Sequence, residues 1–250
     1  FCTNLLPQGA RAVASAALDA ETMREFEFAA SLGRLEVMVV RPEAWRALPH
    51  GQAFRFAGRE VEMALPGRFQ ADNALVAAML AEAVGIADPL ALLGRLAGVR
   101  GRMELAATLP NGAAVYVDYA HTPDALTRLL EALRPHVAPG ARLHVLFGAG
   151  GDRDPGKRPL MGAAAGAADR VWITDDNPRS EDPAAIRRAV LEGAPGAVDA
   201  GERAAAIARA MDALGPGDVL AVAGKGHEQG QEIAGTTLPF DDASVVRGLV

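Results

Sequence analysis

Residues 143–174 read LHVLFGAGGDRDPGKRPLMGAAAGAADRVWIT. Two apolar runs, Leu143–Phe147 and Val171–Thr174, bracket a glycine-rich loop and an alanine-rich amphipathic segment near Pro159–Ala168. Short β-branched runs joined by a helical crossover read as a βαβ unit, and a βαβ unit requires parallel strands. The alternation continues on both sides. Further runs at Ala114–Val117, Ala197–Asp199 and Val219–Val222 alternate with segments near Pro123–His136, Pro183–Glu192 and Glu202–Leu214. Thr122 and Asp182 each precede a proline, as an N-cap precedes a proline at the first helical position. A last amphipathic helix is expected from Asp242. The second half of the chain is therefore read as a Rossmann-like, mostly parallel, doubly wound α/β domain.

Outward from this core the signal weakens. Weak strands at Arg11–Ala16, Leu35–Val40, Phe54–Phe56 and Glu60–Ala64 precede a helix expected over Asn73–Val84, with Asp72 as its cap. The two glycines of GVRGR mark a boundary near Leu96–Gly101, giving expected domains over 1–98 and 99–250.

The bulk numbers bound the function. The chain has 250 residues, 50% of them hydrophobic, which suffices for a sizeable core. Its net charge of -6, without a basic block, argues against a nucleic-acid partner. Cys2 is the only cysteine, which excludes an internal disulfide and a cysteine-rich zinc site and suits a reducing cytoplasm. No apolar run reaches membrane-spanning length, and the opening FCTNLLPQGA lacks an initiating Met and a basic signal-peptide region. The chain reads as a piece of something longer. Of the 25 basic residues only Lys157 and Lys225 are lysine, and both follow a glycine. Where arginine fills almost every cationic position, a retained compact ammonium asks for a local reason.

In a doubly wound sheet, ligands bind at the carboxyl ends of the strands. The loops expected there are DYAHTPDAL (118–126), GAGGDRDPGKRP (148–159), DDNPRSEDP (175–183) and GKGHEQG (224–230). Residues 151–157 fit G-x-x-x-x-G-K, but Arg158 stands where a Walker loop has Ser or Thr for Mg²⁺, so no Walker motif is assigned. Arg153, Lys157 and Arg158 could still favour an anion before a helix. Asp176, Asn177 and Arg179 set a carboxylate, an amide and a guanidinium in one loop, a set suited to an amino acid's ammonium and carboxylate. The same residues could instead form an ion pair and an Asx-turn that shape the loop. Glu228 suits a second ammonium or a cap. His121 and His227 lie in the same loops, and no residue is assigned a catalytic role.

Six motifs now occur in order: LPGRFQADNALVA (65–77), GRMEL (101–105), VDYAHTPDAL (117–126), FGAGGDRDPGKRPLMG (147–162), TDDNPRSEDP (174–183) and VAGKGHE (222–228). Together they resemble the Mur ligases, specifically the tripeptide synthetases that add the third residue of the peptidoglycan stem peptide. The resemblance implies a cytoplasmic ATP- and Mg²⁺-dependent ligase of cell-wall biogenesis. It would join meso-2,6-diaminopimelate to UDP-N-acetylmuramoyl-L-alanyl-D-glutamate through an acyl phosphate, without membrane insertion and as a monomer. It also implies a diaminopimelate site at Arg153, Asp176, Asn177, Pro178, Arg179, Gly224 and Glu228. Lysine, lacking the distal carboxylate, would leave Arg153 and Arg179 unpaired. The implied ATP contacts are Asn73, Arg102, Asp118 and Lys157, and no metal ligand is assigned. Residues 1–98 would then be the carboxyl-terminal part of the central ATP-binding domain. Gln70 and its neighbours depart from the family pattern, which often has Asn soon after the Phe.

The family's glycine-lysine phosphate loop, modified lysine and uridine-binding domain would all precede Phe1. These 250 residues alone are therefore expected to bind ligands poorly and not to turn over. The alternatives are a lysine-adding or folylpolyglutamate-type ligase, and a non-catalytic amino-acid-binding module or half of a split enzyme.

Overall fold

The computed structural model describes residues 6–48 and 50–250, so Cys2 and the start of the FCTNLLPQG segment lie outside the described residues. The chain forms two compact units, residues 1–97 and 98–250.

The first unit runs β1 (Arg11–Ser15), α1 (Ala20–Leu32), β2 (Glu36–Val40), β3 (Glu43–Leu48), β4 (Gly51–Phe56), β5 (Arg59–Met63), α2 (Arg68–Ala83) and α3 (Pro89–Leu92). β1 and β2 form a two-stranded parallel sheet, and β3–β4–β5 an antiparallel one. Val40, Phe54, Met63, Leu75 and Met79 are buried together in its core. One expectation is corrected here, and two elements are added. α1, capped by Asp19, and β3 were not anticipated. Nor does Asp72 cap the helix, because α2 starts at Arg68 after Gly67, whose φ of 88° breaks the chain. Asp72 lies within α2, buried, where it accepts a hydrogen bond from Ser15 Oγ at 3.0 Å. Ala71, Ala74, Leu75, Ala78 and Met79 give α2 one buried face, and that packing fixes the helix start ahead of local capping.

The second unit runs β6 (Glu104–Thr108), β7 (Ala114–Asp118), α4 (Pro123–Leu133), β8 (Leu143–Phe147), α5 (Lys157–Ala164), β9 (Arg170–Thr174), α6 (Pro183–Leu191), β10 (Val198–Gly201), α7 (Arg203–Asp212), β11 (Val219–Ala223), β12 (Gly230–Ile233), β13 (Thr236–Pro239) and α8 (Asp242–Gly248). Six strands form one sheet in the order β10–β9–β8–β11–β7–β6, parallel except for β6. Alternate side chains serve opposite faces, as strand geometry dictates. Tyr116, Val145, Phe147 and Ala221 meet α4, α5 and α6, while Val115, Leu146, Trp172 and Val222 meet α7 and α8. Both faces are covered, which is why the strands read as continuous apolar runs. The fold is the mostly parallel, doubly wound sheet that the sequence implied, with the antiparallel β6 and the β12–β13 hairpin added. Among the described residues no helix is long and apolar enough to cross a membrane.

Candidate functional site

The loops after β8, β9 and β11 meet at the carboxyl end of the sheet, and glycine lets them touch. A Cβ on Gly148 would lie 2.4 Å from Thr174 O, and one on Gly151 would lie 1.9 Å from Pro178 O. Gly224, at φ 114°, would place a Cβ 2.8 Å from Asp176 Oδ2. The β8 and β11 loops are therefore laid directly on the DNPR loop. A cleft of about 360 Å³ opens between them, lined by Arg153, Asp176, Asn177, Arg179, Gly224 and Glu228. Tyr119, His121, Asp154 and Lys157 also face it. Pro178 lies beneath, lining a small neighbouring void with Asp176 and Ile186.

Carboxylates and cations share this wall, Asp154, Asp176 and Glu228 against Arg153, Lys157 and Arg179. A site with both signs fits a ligand with both signs. A Cβ on Gly150 would lie 3.0 Å from Arg179 Nη1 and 3.6 Å from Arg153 Cγ, so the two arginines flank one glycine. Arg153 and Lys157 are exposed, and their side chains make no ion pair or hydrogen bond among the described residues.

Arg179 is held differently. Its Nε donates to Glu232 Oε2 at 3.0 Å and its Nη1 to Gly151 O at 2.7 Å, and among the described residues Nη2 makes no hydrogen bond. The expectation that lysine would strand Arg179 without a partner is corrected accordingly. Its backbone is left-handed, φ 52°, and is pinned by hydrogen bonds to Glu232 O and from Ala234 N, so the β12 strand grips the loop. Asp152, also left-handed, accepts from Ser180 N and Oγ, and those bonds hold its carboxyl below the usual carboxylate range. Such conformations are sparsely populated for non-glycine residues and persist where neighbours hold them.

Arg158 was expected to favour an anion. It is instead buried, donating to Glu181 Oε1 at 2.7 Å, because that carboxylate in the next loop captures it.

The expected nucleotide contacts do not line this cleft, apart from Lys157. Asp118 Oδ2 accepts from Met103 N at 2.7 Å and Oδ1 from Ala120 N at 2.8 Å, stapling β6 to the β7 loop. Burial pushes its carboxyl up, against the pull of those two N–H groups. Arg102 lies 4.9 Å over the Tyr119 ring, and His121 Nδ1 is 2.8 Å from Tyr119 O. Asn73 is exposed on α2 in the first unit. No group of three or more His, Cys, Asp or Glu among the described residues could hold a metal ion.

Three supporting groups escaped sequence reasoning. Gln231 Nε2 donates to Asp176 O at 2.7 Å, Glu232 braces Arg179, and Arg203 is fully buried behind Asp176, 3.9 Å from its Oδ2. For the first two, the available signal was Ala234–Gly235, both left-handed, a two-residue hairpin turn between short strands. A larger depression of about 530 Å³ sits at the amino end of β9 and β10, among Gly162, Gly193, Ala194 and Arg170. Its only carboxylate, Asp169, is taken by Arg134, so no comparable set of charges converges there.

Residues 101–226 match the family described as Mur ligase, glutamate ligase domain. The chain belongs to the Mur ligase family. It is 48% identical over 261 aligned positions to the UDP-N-acetylmuramoyl-L-alanyl-D-glutamate--2,6-diaminopimelate ligase of Caulobacter vibrioides, covering 96% of this chain and 51% of that protein. The enzyme of the same name from Chelativorans sp. is 56% identical over 191, covering 75% of this chain and 39% of the relative. This Mur ligase chain thus spans about half the length of the curated relatives it matches or less. A solved structure of the same name superposes with a TM-score of 0.72 at 32% identity, over 96% of this chain and 52% of the other. A folylpolyglutamate synthase from Thermotoga maritima shares the fold, with a TM-score of 0.63 at 19% identity over 89% of this chain and 53% of that one.

Proposed function

We propose that this Mur ligase chain is the part of a diaminopimelate-adding ligase that holds the incoming amino acid. The single observation that carries the reading is the cleft where Arg153, Arg179, Asp176, Asn177 and Glu228 converge on loops fixed by glycine contacts. meso-2,6-Diaminopimelate carries an amino-acid centre at each end, and the cleft would take the distal one. Its carboxylate meets Arg153 and the Nη2 edge of Arg179, and its ammonium meets Glu228 and Asp176. Gly224 admits the ligand's close approach to the Asp176 carboxylate, and Pro178 stiffens the loop below.

The reaction would join the proximal amine to UDP-N-acetylmuramoyl-L-alanyl-D-glutamate, activated as an acyl phosphate, in the cytoplasmic assembly of peptidoglycan precursor. The contribution of these residues is positioning, which turns an encounter of two solutes into attack within one complex. Residues 1–98 are assigned to the central ATP-binding domain and 99–250 to the amino-acid-binding domain. Asn73, Arg102, Asp118 and Lys157 are assigned to ATP. Asp118 retains acceptor capacity beyond its two backbone bonds, and Arg102 carries no ion pair among the described residues, which suits a hydroxyl and a phosphate. ATP would supply the phosphoryl group that activates the acceptor. The described residues do not make up a magnesium site, so no step is assigned to Mg²⁺ here. The working form is taken to be a monomer.

The test is ligation by the protein that carries this chain, offered diaminopimelate and lysine in competition. Preferential incorporation of diaminopimelate is expected. Equal incorporation, or a preference for lysine, overturns the assignment.

A further inference from the structure

Lys225, one of only two lysines in the chain, is fully buried. A buried ammonium is tolerated only when charged or strongly polar groups receive it. Its Nζ donates to Asn177 Oδ1 at 2.9 Å and to Glu228 Oε2 at 3.3 Å. Both partners belong to the cleft wall, and among the described residues the ammonium has no partner elsewhere.

The ring then closes on itself. Asn177 Nδ2 donates to the same Glu228 Oε2 at 3.1 Å, and Glu232 N donates to Asn177 Oδ1 at 3.0 Å. With two donors aimed at Oδ1, the amide has one sensible orientation. Asn177 therefore offers the cleft its second N–H and not its carbonyl oxygen. Glu228 Oε1 has no donor among the described residues and stays available as an acceptor.

The backbone that carries Lys225 is set closely against its neighbours. Gly224 and Gly226 flank it, and a Cβ on Gly226 would lie 2.7 Å from Tyr119 Cβ and 2.8 Å from Gly101 O.

We propose that Lys225 is a positioning residue for the zwitterionic ligand. It locks Asn177 as a donor for the ligand carboxylate and Glu228 as an acceptor for the ligand ammonium. The assignment rests on the diaminopimelate reading of the cleft. Removing the ammonium while keeping the stem, as in Lys225→Met, should free both side chains and leave the nucleotide contacts alone.

The experiment is steady-state ligation by the protein carrying this chain, unmodified and as Lys225→Met, with KM measured separately for diaminopimelate and ATP. The KM for diaminopimelate should rise on the order of 30-fold or more, as when one partner of a buried charged hydrogen bond is truncated, with the KM for ATP unchanged. If the unmodified protein shows no preference for diaminopimelate over lysine, the reading of the cleft itself fails. If that preference stands but Lys225→Met keeps its KM for diaminopimelate, or raises both KM values alike, the positioning role is overturned.

Should Lys225→Met not fold, lysine-selective ¹⁵N NMR of the folded, unmodified protein decides. The slowly exchanging ammonium of Lys225 should shift on adding diaminopimelate and stay in place on adding ATP. An unmoved signal under saturating diaminopimelate overturns the proposal.

Discussion

Arg203 and Lys225 are both fully buried near the carboxyl end of the parallel sheet, and they are paired in opposite ways. Arg203 forms two bonds of 2.7 Å to Asp242, itself fully buried, and donates to Ala223 O at 2.9 Å. Its partners tie α7, α8 and the end of β11 together. Lys225 spends its charge on Asn177 and on Glu228, whose side chain is 35% exposed and faces the cleft. Arg203 is answered mainly by the fold, with Asp176 farther off at 3.9 Å, and Lys225 by cleft residues alone. On the proposed reading, the same desolvation cost serves cohesion in one case and ligand geometry in the other.

The comparison breaks first at Arg203. Asp242→Asn leaves a buried guanidinium short of its counter-charge, and urea unfolding should show a loss of about 3–5 kcal/mol. Lys225→Met should lose less, about 1–3 kcal/mol, because the half-buried Glu228 regains water. Equal losses would mean that both cations are structural.

Next comes Arg179→Ala, which removes the proposed ligand contact and a brace on Gly151 O together. Diaminopimelate affinity, read by calorimetry, should fall by roughly 2–5 kcal/mol, while lysine affinity changes little. Gly151→Ala sharpens the point from the backbone side. Its Cβ would meet Pro178 O, so the β8 and DNPR loops must part, with a stability loss of about 1–3 kcal/mol and weaker diaminopimelate binding.

The smallest effect belongs to the opposite end of the sheet. His144 is buried, with Nε2 3.3 Å from Asp218 Oδ2 but without hydrogen-bond alignment. Asp218 is already taken by Arg142 N and Gly215 N. Burial holds the imidazole below its ordinary range, against the pull of Asp218. The unfolded chain therefore protonates first, and this group's contribution falls as pH drops below about 6.5 and is flat above it. Unfolding at pH 7.5 and 5.5 should show that decline, at most about 1.4 kcal/mol per pH unit, and His144→Leu should flatten it.

The sequence made the sheet legible because both its faces are covered. Leu143–Phe147 and Val219–Val222 read as strands on hydrophobicity alone, and Thr122–Pro123 and Asp182–Pro183 announced their helices. The first unit was harder. β1–β2 leaves Val37 and Val39 exposed, and the buried face of α2 is built largely of alanine, so hydrophobic contrast was low. At the site, Arg153, Asp176, Asn177, Arg179 and Glu228 stood out in their loops and Gly224 followed from the family resemblance, and these six line one cleft, with Pro178 beside it. What stayed hidden was pairing over long separations. Nothing local in the sequence says that Glu181 takes Arg158, that Glu232 takes Arg179, or that Arg203 meets Asp242 39 positions away. The lysine count did flag Lys225, but its burial between Asn177 and Glu228 depends on the meeting of two loops.

The most direct measurement is binding of diaminopimelate and lysine, by calorimetry under identical conditions, to the protein carrying this chain and to its Arg179→Ala variant. Tighter binding of diaminopimelate, with the preference largely erased in the variant, is the expected result. Equal binding of the two amino acids, or a preference that survives Arg179→Ala intact, would contradict the assignment of this cleft.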